Sequence, residues 1–216
     1  VGSEMCIRDR PTADFWHRVG FSALRILTGF VLAVTVGLLL GACGARWRWF
    51  GTLVGPVMQL IRAMPVASFV ILALLWVSGK NLSVIVSFTH VLPVVYAGTV
   101  GGIADTDPAL LEMAKVYRLP LGKRLRYIWL PGMFPSFCEN CIAAMGMCWK
   151  SGVSAEVIGL PDHSVGDALY RAKITISTPE VFAWTLVIVL LSATLSTLAA
   201  WALRRAKRAL CGEVEG

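Results

Sequence analysis

Four long runs without a charged side chain constrain what this chain can fold into. They cover residues 26–45, 63–79, 81–104 and 181–203, with 20, 17, 24 and 23 residues. A helix needs about 20 mainly apolar residues to cross a bilayer, and soluble cores rarely contain four such runs. Only 15% of the 216 residues are charged, which is too few to cover a soluble globule. The runs predict membrane spans near 20–45, 58–79, 81–104 and 181–203.

A fifth apolar segment, near 131–152, contains one acidic residue, Glu139. A single acid at mid-membrane costs about 2.5–3.5 kcal/mol, which the surrounding aliphatic and aromatic residues can offset. We therefore predict an all-α, polytopic membrane bundle with five transmembrane helices, which forms a single domain over 11–210 with a tail at 211–216.

The distribution of Lys and Arg predicts the orientation. Five spans place eleven cations on one side and only three or four on the other, and short-loop cations collect in the cytoplasm. The C-terminus is thus expected to be cytoplasmic, in a bacterial inner membrane. The eleven are Arg46, Arg48, Lys115, Arg118, Lys123, Arg124, Arg126, Arg204, Arg205, Lys207 and Arg208.

The N-terminus does not resemble a signal peptide. Residues 1–10, VGSEMCIRDR, contain no initiator Met at position 1 and no apolar h-region, so we interpret them as a non-native leader. Five spans with a cytoplasmic C-terminus leave the N-terminus outside. The simplest explanation is a six-span fold that lacks its first span here.

Several function classes lack their motifs. The chain has no GxxxxGK[ST] phosphate loop, no HExxH and no GxSxG, so we predict no ATP site of that kind, no metal and no enzyme activity. The cations lie at span ends, where topology explains them, and nucleic acid is not expected as a partner.

Isolated polar residues within the spans have structural and functional interpretations. His90 is a functional candidate by its position, although bonding to a neighbouring hydroxyl or carbonyl explains it more simply. Cys138 and Cys141 share a helix face, which fits a packed interface better than a redox or metal site. The small-residue pairs Gly37/Gly41 and Gly98/Gly102 suit close helix approach.

The loop over 105–130 is too ordered for a simple connection. Asp107 can cap a helix that has Pro108 at its first position, and Leu110, Leu111, Ala114 and Tyr117 recur at helical spacing. Pro120 and Gly122 interrupt the pattern before a second short helix near 123–129. From the residues alone, this helix–turn–helix either docks into a partner or lies on anionic lipid.

The same loop carries a family resemblance. Glu112-x-Ala114, followed by Ile128-x-Leu130-Pro131, resembles the E-A-A-x3-G-x9-I-x-L-P loop of permease subunits of binding-protein-dependent ABC importers. Met113 replaces the middle Ala, and Arg118 stands where the family has Gly, so we expect the bend to move to Pro120 and Gly122. The segments 62–79 and 145–159 are similar to the nitrate/sulfonate/taurine branch.

The resemblance implies a mechanism. The loop is then the coupling helix that sits in a groove of a separate ATPase subunit, which binds ATP and Mg. The coupling residues are Glu112, Ala114, Arg118, Gly122, Ile128, Leu130 and Pro131. Two permease copies form a pathway for a small solute such as nitrate, a sulfonate or taurine. A binding protein docks outside, and the connection over 159–179, which holds Asp162, His163, Asp167, Arg171 and Lys173, is its expected platform.

The expected pathway residues are polar side chains within or near the spans: His90, Glu139, Asn140, Lys150 and Glu156. Lys150 and Glu156 have an alternative interpretation as an ion pair near the outer surface. Two other functions remain open: an ion-coupled secondary transporter that uses Glu139 and His90, and a membrane protein that depends on Cys138 and Cys141.

Overall fold

Helices form all the regular structure of residues 12–211, the part of the chain that the computed structural model describes; side chains are described from 14 to 205, except that of Leu121. The predicted leader, residues 212–216, and the side chains of Lys207 and Arg208 lie outside this part. The elements are α1 (Thr12–Arg46), α2 (Arg48–Ala63), α3 (Val66–Leu74), α4 (Gly79–Ala104), α5 (Pro108–Val116), α6 (Leu121–Arg124), a π-helical segment (Leu125–Trp129), α7 (Leu130–Gly159), α8 (Val165–Ile174) and α9 (Thr178–Cys211).

Three of these helices have the length and apolar composition needed to cross a membrane. They are Asp14–Arg46 within α1, Gly79–Ala104, and Thr178–Arg205 within α9. They contain the predicted spans 20–45, 81–104 and 181–203. The fold class predicted from the sequence, an all-α membrane bundle, is confirmed.

The segment 58–79, predicted as one span, does not form one straight helix. Helices α2 and α3 meet at an angle of 98°. Met64 is extended and Pro65 caps α3, because a proline disfavours helical backbone in the residue before it. Helix α3 then runs back along α4: Phe69 lies against His90, while Val70 and Ala73 pack with Leu82 and Val86.

The predicted fourth span, 131–152, lies within α7, which has 30 residues and is about 45 Å long at 1.5 Å per residue. Glu139, Lys150 and Glu156 reduce its apolar character, and it is not among the three candidate spans. The helix ends at Leu160, whose φ of 46° is left-handed. Helix α7 nevertheless packs in the centre of the bundle, with α1 and α4.

Helices α1, α4 and α7 approach closely through glycines, as the two small-residue pairs predict. A Cβ on Gly41 of α1 would lie 2.6 Å from Cβ of Thr99 in α4, and one on Gly98 would lie 2.7 Å from Cβ of Asn140 in α7. Since Gly37 and Gly41 meet Val95 and Thr99 in the same order, α1 and α4 run parallel. Both therefore end where the 105–130 loop begins.

A buried polar cluster joins α1, α7 and α8 at the opposite end. The Ser22 hydroxyl donates to Oε2 of Glu156 at 2.7 Å and accepts from the backbone N–H of Val165 at 2.9 Å. The N–H of Gly166 donates to the same Glu156 oxygen at 3.4 Å, and Asp167 N–H donates to the Ser164 hydroxyl. Glu156 is fully buried. The cluster thus satisfies the first free N–H groups of α8, which a helix start otherwise leaves unpaired.

Ion pairs extend this cluster towards the surface. Asp167 is buried and accepts from Nη1 of Arg18 at 3.5 Å and from Nε of Arg171 at 2.9 Å. The contact with Asp167 raises the pKa of the exposed Arg171 above its ordinary value, mainly through their hydrogen bond. Lys150 is exposed and Glu156 is not, so the predicted Lys150–Glu156 pair is wrong: Ser22 and the start of α8 take up the carboxylate instead.

We expect Glu156→Ala to lower the free energy of unfolding by about 3 kcal/mol, because it leaves the buried Ser22 hydroxyl and Gly166 N–H without an acceptor. Denaturant titration of the purified protein in detergent measures this change. Ser154→Ala is the matched control, since its hydroxyl is exposed and bonds only to the Lys150 carbonyl of its own helix. Equal stability of the two variants would contradict a structural role for the cluster.

Candidate functional site

The loop between α4 and α7 begins as the sequence predicts. Asp107 is the N-cap of α5, its carboxylate accepts from the N–H of Ala109 at 2.9 Å, and Pro108 occupies the first turn. The cap satisfies one free donor, and proline has no N–H to leave unpaired there. Helix α5 therefore has a fixed start.

Helix α5 ends at Val116 with Tyr117 as its C-cap. The chain bends at the next residue, Arg118, so the expectation that the bend moves to Pro120 and Gly122 is wrong. Arg118 has a left-handed φ of 50°, its N–H donates to the carbonyl of Lys115, and the N–H of Leu119 donates to that of Ala114 at 3.0 Å. This is the Schellman arrangement, which usually places glycine at the left-handed position. Gly122 lies inside α6 and has no positive φ. Arg118 thus adopts the bend at the position where the family motif has Gly.

The two halves of the loop are bonded to each other. The Ala114 carbonyl also accepts from Nη2 of Arg124 at 3.2 Å. Ala114 is fully buried and Ile128 is 5% exposed, so both face the interior of this chain. Ala114 is among the expected coupling residues, but its small side chain serves the packing of the loop itself.

The outer face of α5 is apolar and exposed. The stripe predicted through Leu110, Leu111, Ala114 and Tyr117 divides in two, because Ala114 is buried and Leu111 is half-buried. A second set of large apolar side chains remains uncovered beside the exposed Glu112. Its members, Leu110, Met113, Val116 and Tyr117, are 42–79% exposed.

Basic side chains surround this apolar face. Lys115, Arg118, Lys123 and Arg126 are all exposed. The loop then passes into α7 through Leu130, which is 37% exposed, and the half-buried Pro131. The loop thus presents an apolar surface with a cationic rim on a fixed helical frame.

One face of α7 carries a stripe of small and polar side chains with one large apolar member, Met147. Its members fall within a sector about 80° wide at 3.6 residues per turn, and all are exposed except the half-buried Ser136. We call this set the α7 stripe. It consists of Gly132, Ser136, Glu139, Ala143, Met147, Lys150 and Ser154.

The α7 stripe differs from the other exposed surface of the bundle. Helix α9 exposes large apolar side chains, among them Phe182, Leu186 and Val189, as expected for contact with lipid. Glu139 lies about 14 Å from the start of α7, within the predicted span. A charge there is costly in lipid and belongs in a polar cavity or an interface. The α7 stripe is therefore the candidate lining of a water-accessible surface.

The five predicted pathway residues separate into two groups. Glu139 and Lys150 belong to the α7 stripe, and the half-buried Asn140 lies at its edge, where its amide donates to the Ser136 carbonyl at 2.8 Å. His90 is half-buried on α4, with Nδ1 3.0 Å from the Val86 carbonyl. Glu156 belongs to the buried cluster. The small stripe residues escaped the sequence analysis, although their recurrence every three or four positions could have revealed them.

Cys138 and Cys141 lie on the opposite side of α7, away from the stripe. They are 5% and 2% exposed, in the face that packs against the rest of the bundle. Within the described residues, no group of three or more His, Cys, Asp or Glu side chains could hold a metal ion.

The predicted outer platform contains α8. Asp162, His163, Arg171 and Lys173 are exposed there, whereas Asp167 is buried in its ion pairs. A polar cleft opens beside α8, lined by side chains of α1, α8 and the start of α9, among them Asp14, Arg18, Arg171 and Glu180. Mixed charge, and not a single sign, characterises this surface.

Sequence comparison identifies relatives over most of the chain. The family described as "Binding-protein-dependent transport system inner membrane component" matches residues 26–210. The putative aliphatic sulfonates transport permease SsuC of Bacillus subtilis is 25% identical over 80% of this chain and 62% of its own length. The SsuC of Escherichia coli is 26% identical over 79% of this chain and 65% of its own length. The chain thus spans less than two thirds of the length of these relatives.

Other relatives and solved structures agree. The taurine permease TauC of Escherichia coli is 22% identical over 94% of this chain and 74% of its own. A chain of the inward-facing MetNI methionine ABC transporter superposes with a TM-score of 0.64 at 15% identity, covering 90% of this chain and 93% of that chain. A chain of an amino acid ABC transporter with histidines superposes with a TM-score of 0.56 at 20% identity, covering 85% of this chain and 91% of that chain. Those two likenesses show the fold, and the match over 26–210 shows that this chain belongs to the inner-membrane components of binding-protein-dependent transport systems.

Proposed function

We propose that this chain is the permease subunit of an ABC importer and that the α7 stripe lines its solute pathway. The observation that carries the proposal is the stripe itself: charged and small side chains exposed on a helix in the centre of a membrane bundle. Two copies that face each other across their stripes would shield Glu139 and Lys150 from lipid. Each copy would then supply half of the pathway.

The 105–130 loop is the proposed contact with a separate ATPase subunit, which binds ATP and Mg. The loop is one rigid body, because α5 has a capped start and a Schellman end and because Arg124 bonds to Ala114. A displacement of α5 is therefore transmitted to α7 through Leu130. The exposed apolar face of α5 offers burial to a partner, and Glu112 with the basic rim offers charge pairing. The loop and the C-terminus would face the cytoplasm, following the cation bias.

The solute is a small anion in this proposal. SsuC and TauC are named for aliphatic sulfonates and taurine, and another relative, NrtB of Synechococcus elongatus, for nitrate. Lys150 provides a cation on the α7 stripe that suits anions in transit. An extracytoplasmic binding protein would deliver the solute at the mixed-charge surface around α8.

We expect a cysteine at Ala143 to react with a membrane-impermeant, charged methanethiosulfonate reagent, because the α7 stripe is water-accessible. Val189→Cys on the outer face of α9 is the matched control and should react much more slowly in lipid nanodiscs. The labelled Ala143→Cys complex should also lose uptake. Equal labelling at both positions would exclude the stripe as a pathway, and the unsubstituted chain measures the background from native cysteines.

Charge reversal at Glu112 tests the coupling surface. We expect Glu112→Lys to abolish co-purification of the ATPase, since it adds a sixth cation to a loop with a basic rim, while membrane insertion stays normal. Lys80→Glu is a charge-reversed control on an exposed side chain at the other end of the bundle. Full recovery of the ATPase with Glu112→Lys would contradict the assignment of the loop as the ATPase contact. Separately, solute uptake by the unsubstituted protein without ATP hydrolysis would favour an ion-coupled transporter.

Two substitutions at Arg118 test whether the left-handed bend is needed for coupling between the ATPase subunit and the permease. Arg118→Gly removes a left-handed penalty of about 1–2 kcal/mol, so the Leu119 amide should exchange with deuterium several-fold more slowly. Arg118→Val places a β-branched residue there and should accelerate exchange and lower solute-stimulated ATP hydrolysis. Identical exchange in the two variants would show that the bend does not depend on this residue.

A further inference from the structure

Helix α2 has three distinct faces, and only its residues 58–63 fall within a predicted span. Val54, Met58 and Ile61 pack onto the core. On the far side, Trp49, Leu53 and Leu60 are 70%, 67% and 68% exposed. Arg48, Gln59 and Arg62 form an exposed polar edge between these two faces. A helix with one polar edge and a wide uncovered apolar face is typical of the membrane interface.

Helix α2 turns sharply at both ends. It begins where α1 ends, since a Cβ on Gly51 would lie 2.7 Å from the Gly44 carbonyl, and it makes an angle of 98° with α3. With 16 residues, it extends about 24 Å from the end of the bundle that carries the coupling loop.

The charge around α2 is of one sign. Arg46, Arg48 and Arg62 are exposed, and the sequence has no acidic residue between Asp14 and Asp105. Two tryptophans, Trp47 and Trp49, stand beside the first two arginines, and tryptophan favours the headgroup level of a bilayer. Cations near a membrane surface attract anionic lipid.

A second copy of the chain fits this face less well than lipid. A two-fold contact brings the same patch of both copies together. Centred on α2, it would oppose two rows of arginines with no acid from this region to pair them. We propose that α2 is an interfacial helix that binds anionic phospholipid headgroups through Arg46, Arg48 and Arg62, with Trp49, Leu53 and Leu60 among the acyl chains.

Nanodiscs of phosphatidylglycerol and of phosphatidylcholine test this binding with the full-length protein. We expect the backbone amides of α2 to exchange more slowly with deuterium in phosphatidylglycerol. The double variant Arg48→Gln/Arg62→Gln should lower the apparent affinity for phosphatidylglycerol by about 25-fold, about fivefold for each arginine removed. Lys80→Gln/Lys173→Gln, two exposed cations at the other end of the bundle, should leave α2 unchanged.

A photoreactive benzoylphenylalanine at Leu53 identifies what covers the helix. Phospholipid adducts in mass spectra support the proposal, whereas a crosslinked pair of chains would overturn it in favour of a second copy. Equal exchange in the two lipids for the unsubstituted protein would also overturn it, and that comparison does not require any variant to fold. If the Lys80→Gln/Lys173→Gln variant lost as much affinity for phosphatidylglycerol, the loss would follow from net charge alone, and a site on α2 would be refuted.

Discussion

The structure depends on the contact where glycines let α1, α4 and α7 approach each other closely. A Cβ on Gly152 of α7 would lie 2.6 Å from Cγ1 of Ile26 and 2.8 Å from the Ser87 hydroxyl, and one on Gly29 of α1 would lie 2.5 Å from the Val84 carbonyl. Lipid tails are as apolar as leucine, so helices in a membrane associate through close packing of small residues more than through hydrophobic burial. This junction fixes which face of α7 is buried, and therefore which face remains to carry the stripe.

Each end of α7 contacts an element that is proposed to bind a partner protein: the 105–130 loop at one end and α8 at the other. At one end, the loop enters through the π-helical segment and Leu130. At the other end, Glu156 holds the start of α8, and a Cβ on Gly166 would overlap the Cβ of Glu156, so only glycine fits at this contact. A displacement of either the loop or the α8 surface therefore acts on the helix that carries Glu139 and Lys150. Mechanical continuity through one helix is a simpler route for coupling than a chain of separate side-chain contacts.

The sequence predicts the elements that depend on local pattern and fails where a partner distant in sequence decides. Uncharged runs locate α1, α4 and α9, and Asp107 with Pro108 locates the start of α5, because span length and capping are local properties. The break at Pro65 could be anticipated as a kink but not as an angle of 98°, which packing of α3 on α4 determines. The partner of Glu156 is Ser22, 134 residues away, and no spacing rule connects them. At Arg118, the low preference of non-glycine residues for left-handed backbone predicts that the bend moves to Pro120 and Gly122. Two backbone hydrogen bonds instead hold Arg118 in the left-handed geometry.

The distribution of charge also links the two halves of the bundle. The first helix carries Arg18 and Arg25, yet Asp14 is the only acidic residue described before Asp105. Arg18 bonds to Asp14 and reaches Asp167, while Arg25 packs over the Phe21 ring at 4.5 Å and interacts electrostatically with Glu156. Cations that enter a low-dielectric region need such partners. Asp167 of α8 and Glu156 of α7 thus add to Asp14 of α1 itself, so the second half of the chain supplies two of the three acids that face the arginines of α1.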